Sequence, residues 1–364
     1  MNRLRTLTKP TSAIPLLAAV LLAATWGRQI SGFVVALVAL VLIAAVVCAV
    51  HHAEVVAHRI GEPYGAIVLA LAVTVIEVGL IVSLMLADSG NTSALARDTV
   101  FAAVMISTNG IVGLSLFLAT AKHGLSVFNA DGAGGGLAAT ITLAAMTLVL
   151  PRFTLTDTSP AFTSSQLIFA GVASVLLFGL YISTQTVRHR NFFLPLNPQG
   201  ELCDEAEQGE PPTRQETQMS LGLLLVALVC VVGLAKVTAP TLEGLVVGAG
   251  IPVSFVGVVI ALVVLGPETL AAARAALRGR VQTSLNLAYG SAVASIGLTI
   301  PVLAVVTAFT KQELHLGLGG THLVLLAVTA VVGTLTVVPG RATRLQGGLH
   351  LALLASYLML SIVP

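Results

Sequence analysis

Charge is sparse in this chain: 9% of its 364 residues are Asp, Glu, Lys or Arg, against 56% hydrophobic residues and a mean hydropathy of +0.97. A soluble globule of this length needs far more polar surface, so a soluble fold is excluded. The formal net charge of +2 is too small to suggest nucleic-acid binding. Cysteine is scarcer still. Cys48, Cys203 and Cys230 are too few and too scattered for a disulfide framework or a cysteine metal site. No His-Glu-x-x-His run, no aspartate pair and no nucleophile with a base at readable spacing occurs, so an enzyme is not expected, nor is a resident cofactor.

What the chain does have is long apolar runs. Crossing roughly 30 Å of hydrocarbon takes about 20 apolar residues. Eleven such stretches fall near 13–27, 30–50, 64–86, 98–118, 136–151, 166–187, 219–238, 251–273, 283–309, 321–338 and 345–363. The expected fold is an all-α polytopic membrane protein with the lipid bilayer as its surroundings, and nothing in the pattern fixes an oligomeric state. With the N-terminus inside, thirteen of the 18 basic residues fall on the cytoplasmic side, among them Arg3, Arg5, Lys9, Arg59, Lys122 and Arg274. Arg28, Arg97, Arg152, Lys236 and Lys311 fall outside. That bias predicts a cytoplasmic N-terminus, an opposite C-terminus and an odd number of spans. Arg3 and Arg5 ahead of Ile14–Ala24 also fit a cleaved signal peptide, but no small-residue cleavage site precedes a soluble domain, which favours a span.

One long polar stretch, 189–218, separates two hydrophobic halves. It carries Glu201, Asp204, Glu205, Glu207, Glu210 and Glu216 beside Pro211 and Pro212 and is expected to be a solvated cytoplasmic linker, disordered or partly helical. Concentrating cations near an entrance is the alternative role.

Glu77 and Glu268 lie inside apolar stretches, one in each half. A carboxylate in hydrocarbon is expensive, faces a bundle interior or a polar cavity, and by default marks an ion or proton path. Glu77 follows Tyr64 by thirteen residues and Glu268 follows Phe255 by thirteen, on spans of opposite direction. An inverted repeat of this kind would bring both acids toward one midplane site. Thr74, three residues before Glu77, shares its helix face and adds a hydroxyl oxygen. Pro267 has no N–H and frees the carbonyl of Val263 beside Glu268. The competing assignment of Glu268 is an ion pair with Arg274. Ser107-Thr108-Asn109-Gly110 and Gly290-Ser291, followed by Ser295, offer further oxygens or, equally, small residues for helix packing.

His51, His52, Glu54 and His58, with Arg59 and Glu62, lack zinc-protease spacing and fit a wetted helix end, a pH-sensitive cluster being the alternative. His350, alone in the last span, fits a hydrogen-bonded core histidine or a proton relay.

The run His52–Gly65 (HAEVVAHRIGEPYG), with Val75-Ile76-Glu77, resembles bacterial ChaA-type calcium/proton antiporters. So do Gly266-Pro267-Glu268, Leu285-Asn286-Leu287, Gly290-Ser291 and Pro301, and the C-terminal Gly340-Arg341, Gly347, His350 and Tyr357-Leu358-Met359. These proteins form part of the cation/proton exchanger branch of the calcium/cation antiporters. The resemblance implies one extra helix (1–28) and two inverted five-helix repeats (29–188 and 219–364) joined by the linker 189–218. Each repeat of the family carries Gly-Asn-x-x-Glu, whose glutamates bind the cation and protons in alternation. They correspond to Glu77 and Glu268, but the Gly-Asn positions hold Val73-Thr74 and Val264-Leu265, and a glutamine of many relatives falls at Ala294. These departures remove amide oxygens. The implied function is secondary active exchange of Ca²⁺ for H⁺ across a bacterial inner membrane. Glu77, Glu268, Thr74, Asn109 and Ser291 would hold the metal, and Glu77 and Glu268 the protons. Na⁺ or K⁺ in place of Ca²⁺, or a passive cation channel, are the alternatives.

Overall fold

The computed structural model describes residues 10–28, 30, 32–61, 64–85, 93–155, 161–197, 199–202, 212–310 and 314–364. Arg3, Arg5, Lys9, Glu62, Cys203, Asp204, Glu205, Glu207, Glu210, Pro211 and Lys311, named above, lie outside the described residues.

Among the described residues eleven apolar helices follow one another, one for each expected stretch. They are α1 (Pro10–Thr25), α2 (Gly32–Ile60), α3 (Tyr64–Met85), α4 (Leu95–His123), α5 (Ala130–Phe153) and α6 (Ser164–Arg188), then α7 (Arg214–Gly248), α8 (Phe255–Leu277), α9 (Val281–Thr310), α10 (Gly320–Val337) and α11 (Arg344–Ile362). Nine have the length and apolarity to cross a membrane, while α1 and the 67–83 part of α3 are shorter apolar helices. Helices suit hydrocarbon because every interior backbone group finds its partner within the segment. Thr163 with Gln166, Thr213 with Glu216 and Thr343 with Gln346 close reciprocal caps that start α6, α7 and α11. The polarity is that of a bilayer protein: Phe33 and Phe309 are 83% and 84% exposed, whereas Thr74, Glu77, Ser107, Asn109 and His350 are buried.

Two helices outrun their expected ends by ten residues. α2 continues through His51, His52 and His58 to Ile60, and α7 passes Pro240 to Gly248. Polar residues and a proline limit an apolar window, but not a backbone whose remaining hydrogen bonds are intact. The 35 residues of α7 span about 52 Å at the usual rise, longer than the hydrocarbon, so the helix must tilt or project. The stretch expected to be a linker is partly ordered: Asn197 Oδ1 accepts from Glu201 N at 2.9 Å, and Arg214–Gln218 is already helix.

The chain forms two compact units, Met1–Thr92 with Gln208–Val256, and Ser93–Glu207 with Gly257–Pro364. In the first, α7 packs against α1, α2 and α3. Arg59 Nη1 donates to Pro212 O at 3.3 Å, so α2 ends where α7 begins and the two run antiparallel. Ser83 Oγ donates to Val232 O at 3.3 Å and joins α3 to α7.

In the second unit α9 is the central helix, packed on α4, α5 and α6 around Leu116, Phe128, Leu285 and Tyr289. A short antiparallel pair, β1 (Ser126–Val127) with β2 (Arg341–Ala342), ties the end of α4 to the start of α11. Those two helices touch backbone to backbone: a Cβ on Gly347 would lie 2.6 Å from Phe117 N, and one on Gly113 would lie 2.9 Å from His350 Cβ. α4 carries a π-helical turn, Ile106–Ile111, in its middle.

Candidate functional site

In the first unit, Thr74 and Glu77 are turned inward together, 5% and 3% exposed, while Val75 between them is 47% exposed. The three-residue spacing therefore does on α3 what the sequence requires of it, presenting a hydroxyl and a carboxylate on one buried face. The same unit holds an acid that sequence reasoning missed. Glu243 on α7 is 7% exposed and its Oε1 is buried without a hydrogen-bond partner. Its signal was a proline three residues earlier, Pro240, inside an apolar run. Ending the span at 238 hid it.

The histidine cluster is not uniformly wet. His51 is exposed, but His52 is 3% exposed, with Nε2 2.9 Å from Thr11 O. Thr11 is four residues before Pro15 in α1, so its carbonyl has no helical donor, and the His52 Nε2–H supplies one.

In the second unit, Glu268 is half-buried with its Oε2 shielded from solvent. It follows Pro267, whose missing N–H leaves the Val263 carbonyl unpaired within α8. Gly257, near the start of α8, packs on Asp98 and Thr99 of α4, and the Leu277 carbonyl at its end accepts from Lys122 Nζ at 2.8 Å. α8 thus runs alongside α4 in the same direction. Glu268 lies midway between these contacts, at the depth of the π-helical turn. On the other side, Ser284 Oγ of α9 donates to Ala272 O at 2.7 Å, which sets Ser291, two turns further on, near the depth of Glu268. Ser291 is half-buried.

Asn109, the expected amide ligand, is hydrogen-bonded at both ends of its amide. Its Oδ1 accepts from His350 Nδ1 at 3.0 Å, and its Nδ2 donates to Thr329 Oγ1 at 3.0 Å and Thr108 Oγ1 at 3.3 Å. His350 Nε2 meets Thr336 Oγ1 at 3.1 Å. His350 is therefore a hydrogen-bonded interior histidine with both ring nitrogens occupied, and it shares with Asn109 a clasp across α4, α10 and α11. Arg97, expected in a loop, sits in the first turn of α4, where its Nη2 lies 2.8 Å from Oδ1 of the buried Asp98 and its Nη1 donates to Gly317 O at 3.2 Å. The pair consists of sequence neighbours, yet only the unexpected start of α4 reveals that it is interior. Among the described residues no three His, Cys, Asp or Glu side chains come together as a metal cage. A cation here would draw on one carboxylate per helix, with hydroxyls and carbonyls around it.

The sequence profile of the sodium/calcium exchanger protein family matches residues 29–187 and 219–363. A Sinorhizobium fredii protein, y4hA, described only as an ionic transporter, is 44% identical over 327 residues, covering 89% of this chain and 87% of that one. The sodium-potassium/proton antiporter ChaA of Escherichia coli is 35% identical over 355 residues, 96% of each chain. Among solved structures, native YfkE superposes with a TM-score of 0.70 at 18% identity, covering 98% of this chain and 99% of its own. The H⁺/Ca²⁺ exchanger CAX follows with a TM-score of 0.69 at 16% identity, covering 96% and 91%. At these identities the two structures speak for the fold.

Proposed function

The chain belongs to the sodium/calcium exchanger family, and we propose on that basis that it is a secondary active antiporter exchanging Ca²⁺ for H⁺, the two competing for the carboxylates of Glu77 and Glu268. The observation that carries the reading is Glu77, an acid 3% exposed within an apolar helix, with the buried Thr74 hydroxyl on its own face. Such a group is tolerated in hydrocarbon when a cation or a proton neutralises it. Two acids hold two negative charges; one Ca²⁺ cancels both, and so do two protons. Either loaded form can move past a hydrophobic barrier and the doubly charged empty form cannot, so exchange becomes obligatory under alternating access. Thr74, Ser291 and the Val263 carbonyl complete the oxygen supply, while Asn109 is held by His350. The protein is an integral membrane protein, and we place it in a bacterial inner membrane with its N-terminus in the cytoplasm.

Exchange of Na⁺ or K⁺ for protons is the second reading. It is favoured by Thr74 and Leu265 standing at the asparagine positions of the Gly-Asn-x-x-Glu motif that the resemblance implies, and by the end-to-end match to a sodium-potassium/proton antiporter. Everted vesicles carrying a preset ΔpH discriminate the two by which of Ca²⁺, Na⁺, K⁺ or Mg²⁺ collapses it. Glu77→Gln and Glu268→Gln are each expected to abolish the response at normal protein abundance. Wild-type rates in both variants would reject the two acids as the exchange site, and cation flux without proton movement would make the protein a channel.

A further inference from the structure

We propose that the second unit seats a phospholipid with an anionic headgroup on the exposed side of the α4–α11 seam, its phosphate held by Arg344, Arg341 and Lys122 and one acyl chain lying along α11. The inference goes beyond the exchange reading and needs only that the protein resides in a bilayer. At one end of this unit Lys122, Arg274, Arg278, Arg280, Arg341 and Arg344 are all exposed, and among the described residues none of the six pairs with a carboxylate. Like charges gathered without counter-charge repel one another. Where such a cluster borders hydrocarbon, anionic headgroups of the leaflet supply the missing charge.

Three contacts draw the cations together around the end of α4. Lys122 Nζ donates to Leu277 O at 2.8 Å, which sets the turn carrying Arg278 and Arg280 beside it. Arg341 faces Val127 in the β1–β2 pair that follows α4. The Arg344 guanidinium lies over the Phe117 ring of α4, 4.8 Å from its centroid, so its planar fork is held at the seam. A phosphate suits that fork, which offers parallel donors to two oxygens. Next to the cations the surface turns apolar. Arg344, Leu345, Gly348 and Leu349 share one side of α11; Leu345 and Leu349 are 67% and 45% exposed, and a Cβ on Gly348 would meet nothing within 4 Å. Gly347, on the adjacent side, brings the α11 backbone against that of α4. Beside the closed seam runs an open lane, floored by Gly348, walled by the two leucines and headed by Arg344. A free phosphate would use the cations and leave the leucines bare, and a neutral lipid would do the reverse. A lipid with an anionic headgroup uses both.

The test counts lipid bound to the purified full chain by native mass spectrometry, titrating phosphatidylglycerol and, separately, phosphatidylcholine with the same acyl chains. The wild type is expected to bind phosphatidylglycerol at least about twentyfold more tightly, since each Lys or Arg near a headgroup contributes about fivefold. Arg344→Gln should lose about fivefold of that preference and Arg341→Gln with Arg344→Gln nearly all of it, whereas Arg344→Lys, which keeps the charge, should retain most. Arg152→Gln removes the same charge at the other end of the unit and should change nothing. Gly348→Leu fills the lane without touching a charge and should weaken phosphatidylglycerol binding. Equal affinity for the two lipids in the wild type, or an undiminished preference in the double variant, overturns the inference. Displacement of the lipid by excess inorganic phosphate also overturns it, by making the patch a phosphate site, and wild-type binding in Gly348→Leu overturns the placing of the acyl chain. Should Arg344→Gln fail to accumulate, Arg341→Gln with Lys122→Gln decides by the same comparison.

Discussion

The contact between α4 and α11 makes a quantitative prediction about two adjacent glycines. A Cβ on Gly347 would stand 2.6 Å from Phe117 N, 2.9 Å from Phe117 Cα and 3.0 Å from Gly113 O, all backbone atoms that no rotamer change can move. The shortfall from an ordinary contact is roughly 0.8 Å, so Gly347→Ala must part the helices, and a gap of that size forfeits about a quarter to a half of the dispersion across the seam. Overpacking of this kind costs about 1–3 kcal/mol. The same parting stretches the 3.0 Å bond from His350 to Asn109 beyond hydrogen-bond range, which in a membrane protein adds about 0.6 kcal/mol and at most about 1.7. Replacing glycine in a helix returns about 0.8–1.0 kcal/mol. The balance is a loss of about 1–3 kcal/mol. At Gly348 a Cβ meets nothing within 4 Å, so Gly348→Ala should keep the propensity gain alone and be neutral or up to about 1 kcal/mol stabilising. Melting of the detergent-purified variants, read as the monodisperse fraction remaining after heating, should fall for Gly347→Ala and hold or rise for Gly348→Ala. A Gly347→Ala protein as stable as wild type, or as stable as Gly348→Ala, refutes the argument.

Two further outcomes are expected. If protons compete with the cation for Glu77 and Glu268, the apparent KM of the cation rises as pH falls, by up to about tenfold per pH unit for each proton displaced; a KM flat across the pH range in which exchange runs would separate the two ions' sites. The gathering of Lys122 and Arg341 at one end of the second unit, with Arg97 at the other, supports a C-terminus on the periplasmic side. A C-terminal epitope should then be cleaved by protease in spheroplasts and protected in everted vesicles, and the reverse pattern would invert the topology.

The eleven apolar helices among the described residues were legible because an apolar helix is a property of length and apolarity, both local in the sequence. Thr74 with Glu77 was legible for a similar reason, since three residues on a helix define a face whatever surrounds it. Legibility failed where polarity was used to end a helix. Cutting the seventh span at 238 left Glu243 in an imagined loop, although α7 continues through Pro240 to Gly248. Placing Asp98 at the edge of a span concealed its burial against Arg97. Other features were unreadable in principle. Asn109 and His350 are 241 positions apart, and nothing in either neighbourhood says that the amide oxygen of one is spoken for by the ring of the other. His52 and Thr11 are the same case at a separation of 41.

The two acids occupy matching places in the two halves, yet their helices serve them differently. Glu77 sits on α3, which has no interior proline, and gains a hydroxyl from Thr74. Glu268 sits just past Pro267, whose missing N–H leaves the Val263 carbonyl without its helical donor. At the asparagine positions of the Gly-Asn-x-x-Glu motif that the resemblance implies, this chain has an alcohol, Thr74, on one side and Leu265 on the other, and Ser291 is the further neutral oxygen proposed above. Neutral ligands alter the number, spacing and softness of oxygens but not the charge that must be cancelled. Coupling should therefore follow the acids and cation preference the hydroxyls, so that removing a carboxylate stops exchange, whereas removing a hydroxyl changes which cation is exchanged and at what concentration. If Glu77 and Glu268 together form the exchange site, they require two positive charges whatever the metal: a monovalent cation then meets that demand only in a pair or together with a proton, and divalent selectivity could be lost from this scaffold without loss of antiport.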